Sequence, residues 1–123
     1  MNDKSKINLA ERSYQFALRV IKMVSTLPNS IVARELSRQL IRSATSIGAN
    51  VEEALGALTK NGFTNSMNIA KKEARETKYW IRLIVGVELI KEEKVKSLLQ
   101  ENVELINIFS KIVKTCQLGG KKR

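Results

Sequence analysis

The chain has 123 residues, 43% hydrophobic and 28% charged, and its 22 Lys plus Arg against 12 Asp plus Glu give a formal net charge of +10. One domain of this length buries a real core, and the balance of apolar to charged residues excludes a disordered chain. With no His and a single Cys, His general bases, His-ligated metals, thiolate clusters and an intrachain disulfide are excluded, while the surplus of cations favours a polyanionic partner.

Taken in chain order, Met1 to Lys6 holds no apolar signal core. A first helix is predicted over about 8–27, where Tyr14, Ala17, Ile21 and Val24 recur at spacings of three and four, and Pro28 stops it. Asn29 or Ser30 can cap a second helix, over about 31–58 through Leu36, Leu40, Ile47, Val51 and Ala54, ended by Asn61-Gly62. The third, over about 63–89, carries Phe63, Met67, Ala70, Ala74 and Ile81 on one face. The boundary near Lys91-Glu92 has neither Gly nor Pro; beyond it a fourth helix, over about 93–117, reads Val95, Leu98, Asn102, Leu105, Phe109, Val113 and Cys116. The apolar run Leu83 to Val87 is far short of the roughly 20 residues of a membrane span. Four helices of this length with short connections predict an all-α, antiparallel, up-down-up-down four-helix bundle over 1–118. Residues 119–123 are expected to form a basic flexible tail, with Gly119-Gly120 freeing Lys121, Lys122 and Arg123 from the helix. A reducing cytoplasm suits the lone cysteine.

Two blocks carry a resemblance: Gln39-Leu40-Ile41-Arg42-Ser43-Ala44-Thr45-Ser46-Ile47-Gly48-Ala49-Asn50-Val51-Glu52-Glu53 and Ala74-Arg75-Glu76-Thr77-Lys78-Tyr79-Trp80-Ile81-Arg82-Leu83. From about Glu11 to Thr115 the chain resembles the four-helix-bundle proteins encoded in intervening sequences of 23S ribosomal RNA genes. The accessory subunits of diversity-generating retroelements are similar in fold. The resemblance implies a bundle that assembles into a ring-like homo-oligomer, a homopentamer, and a possible protein partner such as a reverse transcriptase. In the family an Ala-Asn-x-x-Glu pattern precedes a Gly; here Ala49-Asn50 and Glu53 match and Ala54 follows.

Several polar groups stand out. Arg34, Arg38 and Arg42 form one stripe about 160° from the apolar face of the second helix, and Lys71, Arg75, Lys78 and Arg82 flank that of the third. Arginine's planar fork suits phosphate oxygens; against that stands an ordinary solvated face with local ion pairs to Glu35, Glu52 and Glu76. On the third helix Ile69, Trp80, Leu83 and Val87 project away from the apolar face and predict a subunit interface; alternatively Trp80 caps the core at a helix edge. Asn50 and Glu53 are read as structural bonds rather than a binding site, and Asn102, on the apolar face, as a register-fixing polar residue. Tyr14, Tyr79 and Trp80 are expected to be packed, leaving no exposed ring for base stacking.

No catalytic constellation, Gly-rich phosphate loop or metal-ligand set is present, and no cofactor is expected; a carboxylate magnesium site from Glu52, Glu53, Glu73 and Glu76 suits a basic protein poorly. The expectation is a non-catalytic, homo-oligomeric nucleic-acid-binding protein, RNA favoured, gripping phosphates with Arg34, Arg38, Arg42, Lys71, Arg75, Lys78, Arg82 and the tail. The alternative is a protein-interaction scaffold, such as a reverse-transcriptase accessory subunit. Membrane binding lacks a Trp- or Phe-rich amphipathic face.

Overall fold

A computed structural model describes residues 3–121. Four helices account for nearly all of them: α1 (Asp3–Val24), α2 (Ile31–Leu55), α3 (Lys60–Gly86) and α4 (Glu92–Lys121). No strand occurs among the described residues. Each helix packs on its neighbours in sequence, most extensively α2 on α3, and α1 also meets α4, so the four close into a bundle. Arg12 bonds Glu101 and Glu104 while Arg19, two turns further along α1, bonds Ser97. Rising numbers in α1 thus meet falling numbers in α4.

The apolar stripes account for this packing. Phe16 and Val20 from α1, Leu40 and Ile47 from α2, Met67 and Ile81 from α3, and Leu105 and Phe109 from α4 are fully buried in one core. On each helix the buried positions fall on one face, so the helix buries them together and leaves most charged residues outside, Glu73 excepted. Full burial of such a side chain stabilises the fold by roughly 1.5–3 kcal/mol. Asn102 lies inside this core and donates from Nδ2 to the Ala74 carbonyl at 3.0 Å, tying α4 to α3.

The helix ends differ from expectation: α1 runs from Asp3 to Val24 rather than over about 8–27, and the ends of α2 and α3 shift for local reasons. Ser30 caps α2 by accepting the Ala33 N–H, while Asn29 instead accepts from Arg34. The second helix ends at Leu55, with Gly56 as its C-cap, rather than at Asn61-Gly62. Thr59 begins α3 there by accepting the Gly62 N–H at 3.0 Å, which draws Asn61-Gly62 into the first turn of α3 with no left-handed residue. At the far end α3 stops at Gly86 rather than Leu89. Glu88 takes the left-handed conformation (φ 63°), with Leu89 N–H donating to Ile84 O and Glu88 N–H to Val85 O. This is a Schellman cap built on a glutamate, which a search for Gly or Pro passes over.

The basic tail is also shorter than expected. α4 continues through Gly119 and Gly120 to Lys121, so the glycines do not end the helix. Lys122, Arg123 and the Lys121 side chain lie outside the described residues.

Candidate nucleic-acid interface

The two sequence blocks meet across the α2–α3 contact through a polar cluster. Arg42 of α2 donates to Glu73 at 3.3 Å and to Glu76, both on α3. Glu76 also accepts the Trp80 indole N–H at 3.1 Å. Beneath them the Thr77 hydroxyl donates back to the Glu73 carbonyl at 2.8 Å and lies in hydrogen-bond contact with the Ser43 hydroxyl at 2.9 Å, all out of contact with water. Partial burial pushes the Glu76 carboxyl up, but the bond from Trp80 and the charge of Arg42 outweigh it, and the net shift is downward. The sequence reading missed this cluster because its members stand some thirty residues apart; the signal was that Arg42-Ser43 and Glu76-Thr77-Trp80 each fall on the flank of an amphipathic helix.

This arrangement separates the two basic stripes. Two nitrogens of Arg42 are taken by glutamates, Arg38 pairs with Glu35, and Arg34 donates to Asn29 at 2.8 Å. Arg38 holds the exposed Glu35 carboxyl below its ordinary value. The second-helix stripe therefore serves local contacts, and in Arg42's case a contact that joins two helices. On α3 the turn of about 100° per residue puts Glu73 and Glu76 on the flank turned to α2. Lys71, Arg75, Lys78 and Arg82 fall roughly 130° round from Glu76, on the outer face toward α4. The two stripes do not merge into one patch.

The α3 stripe instead continues onto α4. Asn102 and Ala74 mark the shared α3–α4 edge, and the same periodicity puts Lys96 and Lys114 on the α4 side of it. Arg75, Lys78, Arg82, Lys96 and Lys114 are exposed, and Lys71 is half-buried. None of the six takes part in an ion pair among the described residues, whereas Arg12, Arg38 and Arg42 all do. No acidic residue occurs on α3 beyond Glu73 and Glu76. On α4, Glu101 and Glu104 turn to Arg12, whose guanidinium they hold more firmly protonated, the bond to Glu101 contributing most. The outer α3–α4 face is left mainly cationic, its nearest acids on α4 being Glu92 and Glu93 in the first turn, four and three residues before Lys96. Asn68, Ile69, Lys71, Lys72 and Arg75 also line a shallow depression of about 250 Å³.

The remaining singled-out residues divide as follows. Of the expected subunit contact, Trp80 packs partly against the core and Leu83 is half-buried, while Ile69 and Val87 are exposed. Trp80 therefore lies at the core's edge toward α2 rather than opposite it. Asn50 donates to the Ser46 carbonyl at 2.8 Å and to its hydroxyl at 3.1 Å, a bond within α2. Glu53 is exposed. Contrary to expectation, Tyr14 and Tyr79 are not packed: they are 56% and 54% exposed. Among the described residues no three acidic or Cys side chains gather as a metal-binding set, and no helix is long and apolar enough to cross a membrane.

Comparison with known proteins agrees with this architecture. Residues 5–111 match the family model described as 23S rRNA-intervening sequence protein, and the chain belongs to that family. A crystal structure of a protein of unknown function from the S23 ribosomal protein family of Bacteroides thetaiotaomicron is 34% identical, covers 89% of this chain and 97% of its own, and superposes with a TM-score of 0.80. No curated protein matches the chain.

Proposed function

We propose that this protein is a non-catalytic, homo-oligomeric, nucleic-acid-binding accessory protein of the cytoplasm that holds RNA by its phosphates. The observation that carries the reading is the outer α3–α4 face, where Lys71, Arg75, Lys78, Arg82, Lys96 and Lys114 stand outside every ion pair among the described residues and outnumber the acids beside them, Glu92 and Glu93. Exposed cations gathered on one face outside any ion pair are what a polyanion site requires. The bundle is read as up-down-up-down, supported by short connections and by the opposed order of the α1–α4 bonds.

Self-association into a ring, a pentamer by resemblance, would repeat the basic face several times. Modest sites then gain through effective concentration. Exposed Ile69 and Val87 on α3, and Tyr14 and Ile21 beside an apolar groove between α1 and α2, are surfaces such contacts can cover. That groove also favours a second reading, a scaffold for a protein partner such as a reverse transcriptase.

Fluorescence anisotropy of a structured RNA, titrated at low and near-physiological salt, tests the first reading. Tight binding that weakens steeply with salt is the expected result. Absence of binding even at low salt sinks it and leaves the scaffold.

A further inference from the structure

Tyr79 occupies an unusual place on α3. At about 100° per residue it points directly away from the centre of the buried Ala70, Ala74, Thr77 and Ile81 face, and its ring is 54% exposed. The ring is nonetheless braced: its centroid lies 5.3 Å from that of Trp80, the two planes inclined at 68°. Trp80 is fixed in turn by its bond to Glu76, and Glu76 by Arg42. An edge-to-face partner holds a ring in orientation without covering both faces. The result is an aromatic surface turned to solvent and backed by a chain of bonds that reaches into α2.

Arg75, four residues before Tyr79, and Arg82, three after, are its neighbours on the helix surface. Both are exposed and outside every ion pair among the described residues. Two to three turns toward the N-terminus, the depression of about 250 Å³ offers the Asn68 amide between Lys71 and Lys72. Glu76, the nearby acid, is occupied by Arg42 and Trp80. An exposed aromatic ring flanked by unpaired cations is the composition of single-strand binding surfaces, where bases stack and phosphates meet the charges.

We propose that Tyr79, with Arg75 and Arg82, is a stacking subsite for an unpaired base of a single-stranded nucleic acid. The inference rests on the nucleic-acid reading of the α3 face and adds to it a preference between unpaired and paired strands. The base lies on the Tyr79 ring, its flanking phosphates meet Arg75 and Arg82, and a nucleotide further along the strand reaches the depression beside Asn68. A fully paired helix offers its phosphates but no free base face, so Tyr79 contributes nothing to holding it.

The test uses the full chain as wild type, Tyr79→Leu and Tyr79→Phe, titrated against labelled oligoadenylate and a fully paired RNA duplex. Tyr79→Leu keeps apolar bulk and removes the π-face; helicity by circular dichroism confirms the fold. The expected result is a loss of roughly 5- to 150-fold for oligoadenylate with Tyr79→Leu, near-wild-type binding with Tyr79→Phe, and duplex binding within about two-fold throughout. Trp80, the only tryptophan, should also change its emission when wild type binds oligoadenylate. If Tyr79→Leu leaves oligoadenylate affinity unchanged, or lowers both probes equally, the subsite is overturned while the phosphate grip stands. If wild type binds neither probe, both readings fall.

Discussion

Glu88 shows how much one residue can decide. It holds a left-handed conformation that glycine adopts at no steric cost and that other L residues adopt at roughly 1–2 kcal/mol. It also places an acid at the negative end of the α3 dipole. Glu88→Gly is therefore expected to stabilise the fold by about 1 kcal/mol, read as a higher denaturant midpoint with an unchanged slope. Glu76 gives a second test at this scale. Its carboxyl titrates below its ordinary value in the fold, so the ionised form stabilises the protein above the unfolded pKa. That contribution is lost as pH falls through the folded pKa. Glu76→Gln should lower the thermal midpoint at neutral pH, and the gap from wild type should close in the acid range. A gap that stays constant with pH would show that Glu76 acts by shape alone. Neither residue's role was legible beforehand, because a glutamate's backbone angle and a carboxylate's partners depend on atoms remote in sequence.

Among the elements, α2 and α3 are the pair on which everything else is built. Their starts are set by Ser30 and Thr59, whose hydroxyls accept the Ala33 and Gly62 N–H groups. Thr59→Ala should cost about 1 kcal/mol of stability, since an orphan N–H at the start of α3 loses its acceptor; equilibrium denaturation measures it. The four helices were legible from apolar periodicity because core burial selects that spacing directly. Their ends were less so. Asn61-Gly62 has the composition of a helix terminus, yet a Thr three residues before Gly62 captures its N–H, and the pair starts a helix. Gly119-Gly120 likewise lies within α4, where composition alone reads as a break.

For the molecule as a whole, charge distribution is the functional question. Pairing neutralises the α1–α4 and α2–α3 edges and spares the outer α3–α4 face. Arg75→Glu combined with Arg82→Glu should weaken RNA binding by an order of magnitude or more and flatten its salt dependence, because two phosphate contacts are lost. Arg34→Glu with Arg38→Glu, a change of equal charge, should cost much less. Equal losses from both pairs would mean that net charge, and not this face, governs binding. The comparison needs an unchanged oligomeric state, checked by light scattering.

The amino-acid sequence by itself determined that the chain is all-α, has four long helices, buries a single core and belongs with the intervening-sequence proteins. Periodicity and the two motif blocks are properties of consecutive residues, and local hydrogen bonding with apolar burial converts them into helices. Only the tertiary structure decided which cations are free. Arg42 and Arg75 look alike in sequence, but the flank of α2 that meets α3 delivers Arg42 to Glu73 and Glu76, while Arg75 faces outward. The same docking fixes Trp80 at the core's edge and leaves Tyr79 exposed beside it. Availability for binding is a relation between helices, set by the angle at which their faces meet, and a one-dimensional pattern does not contain that angle.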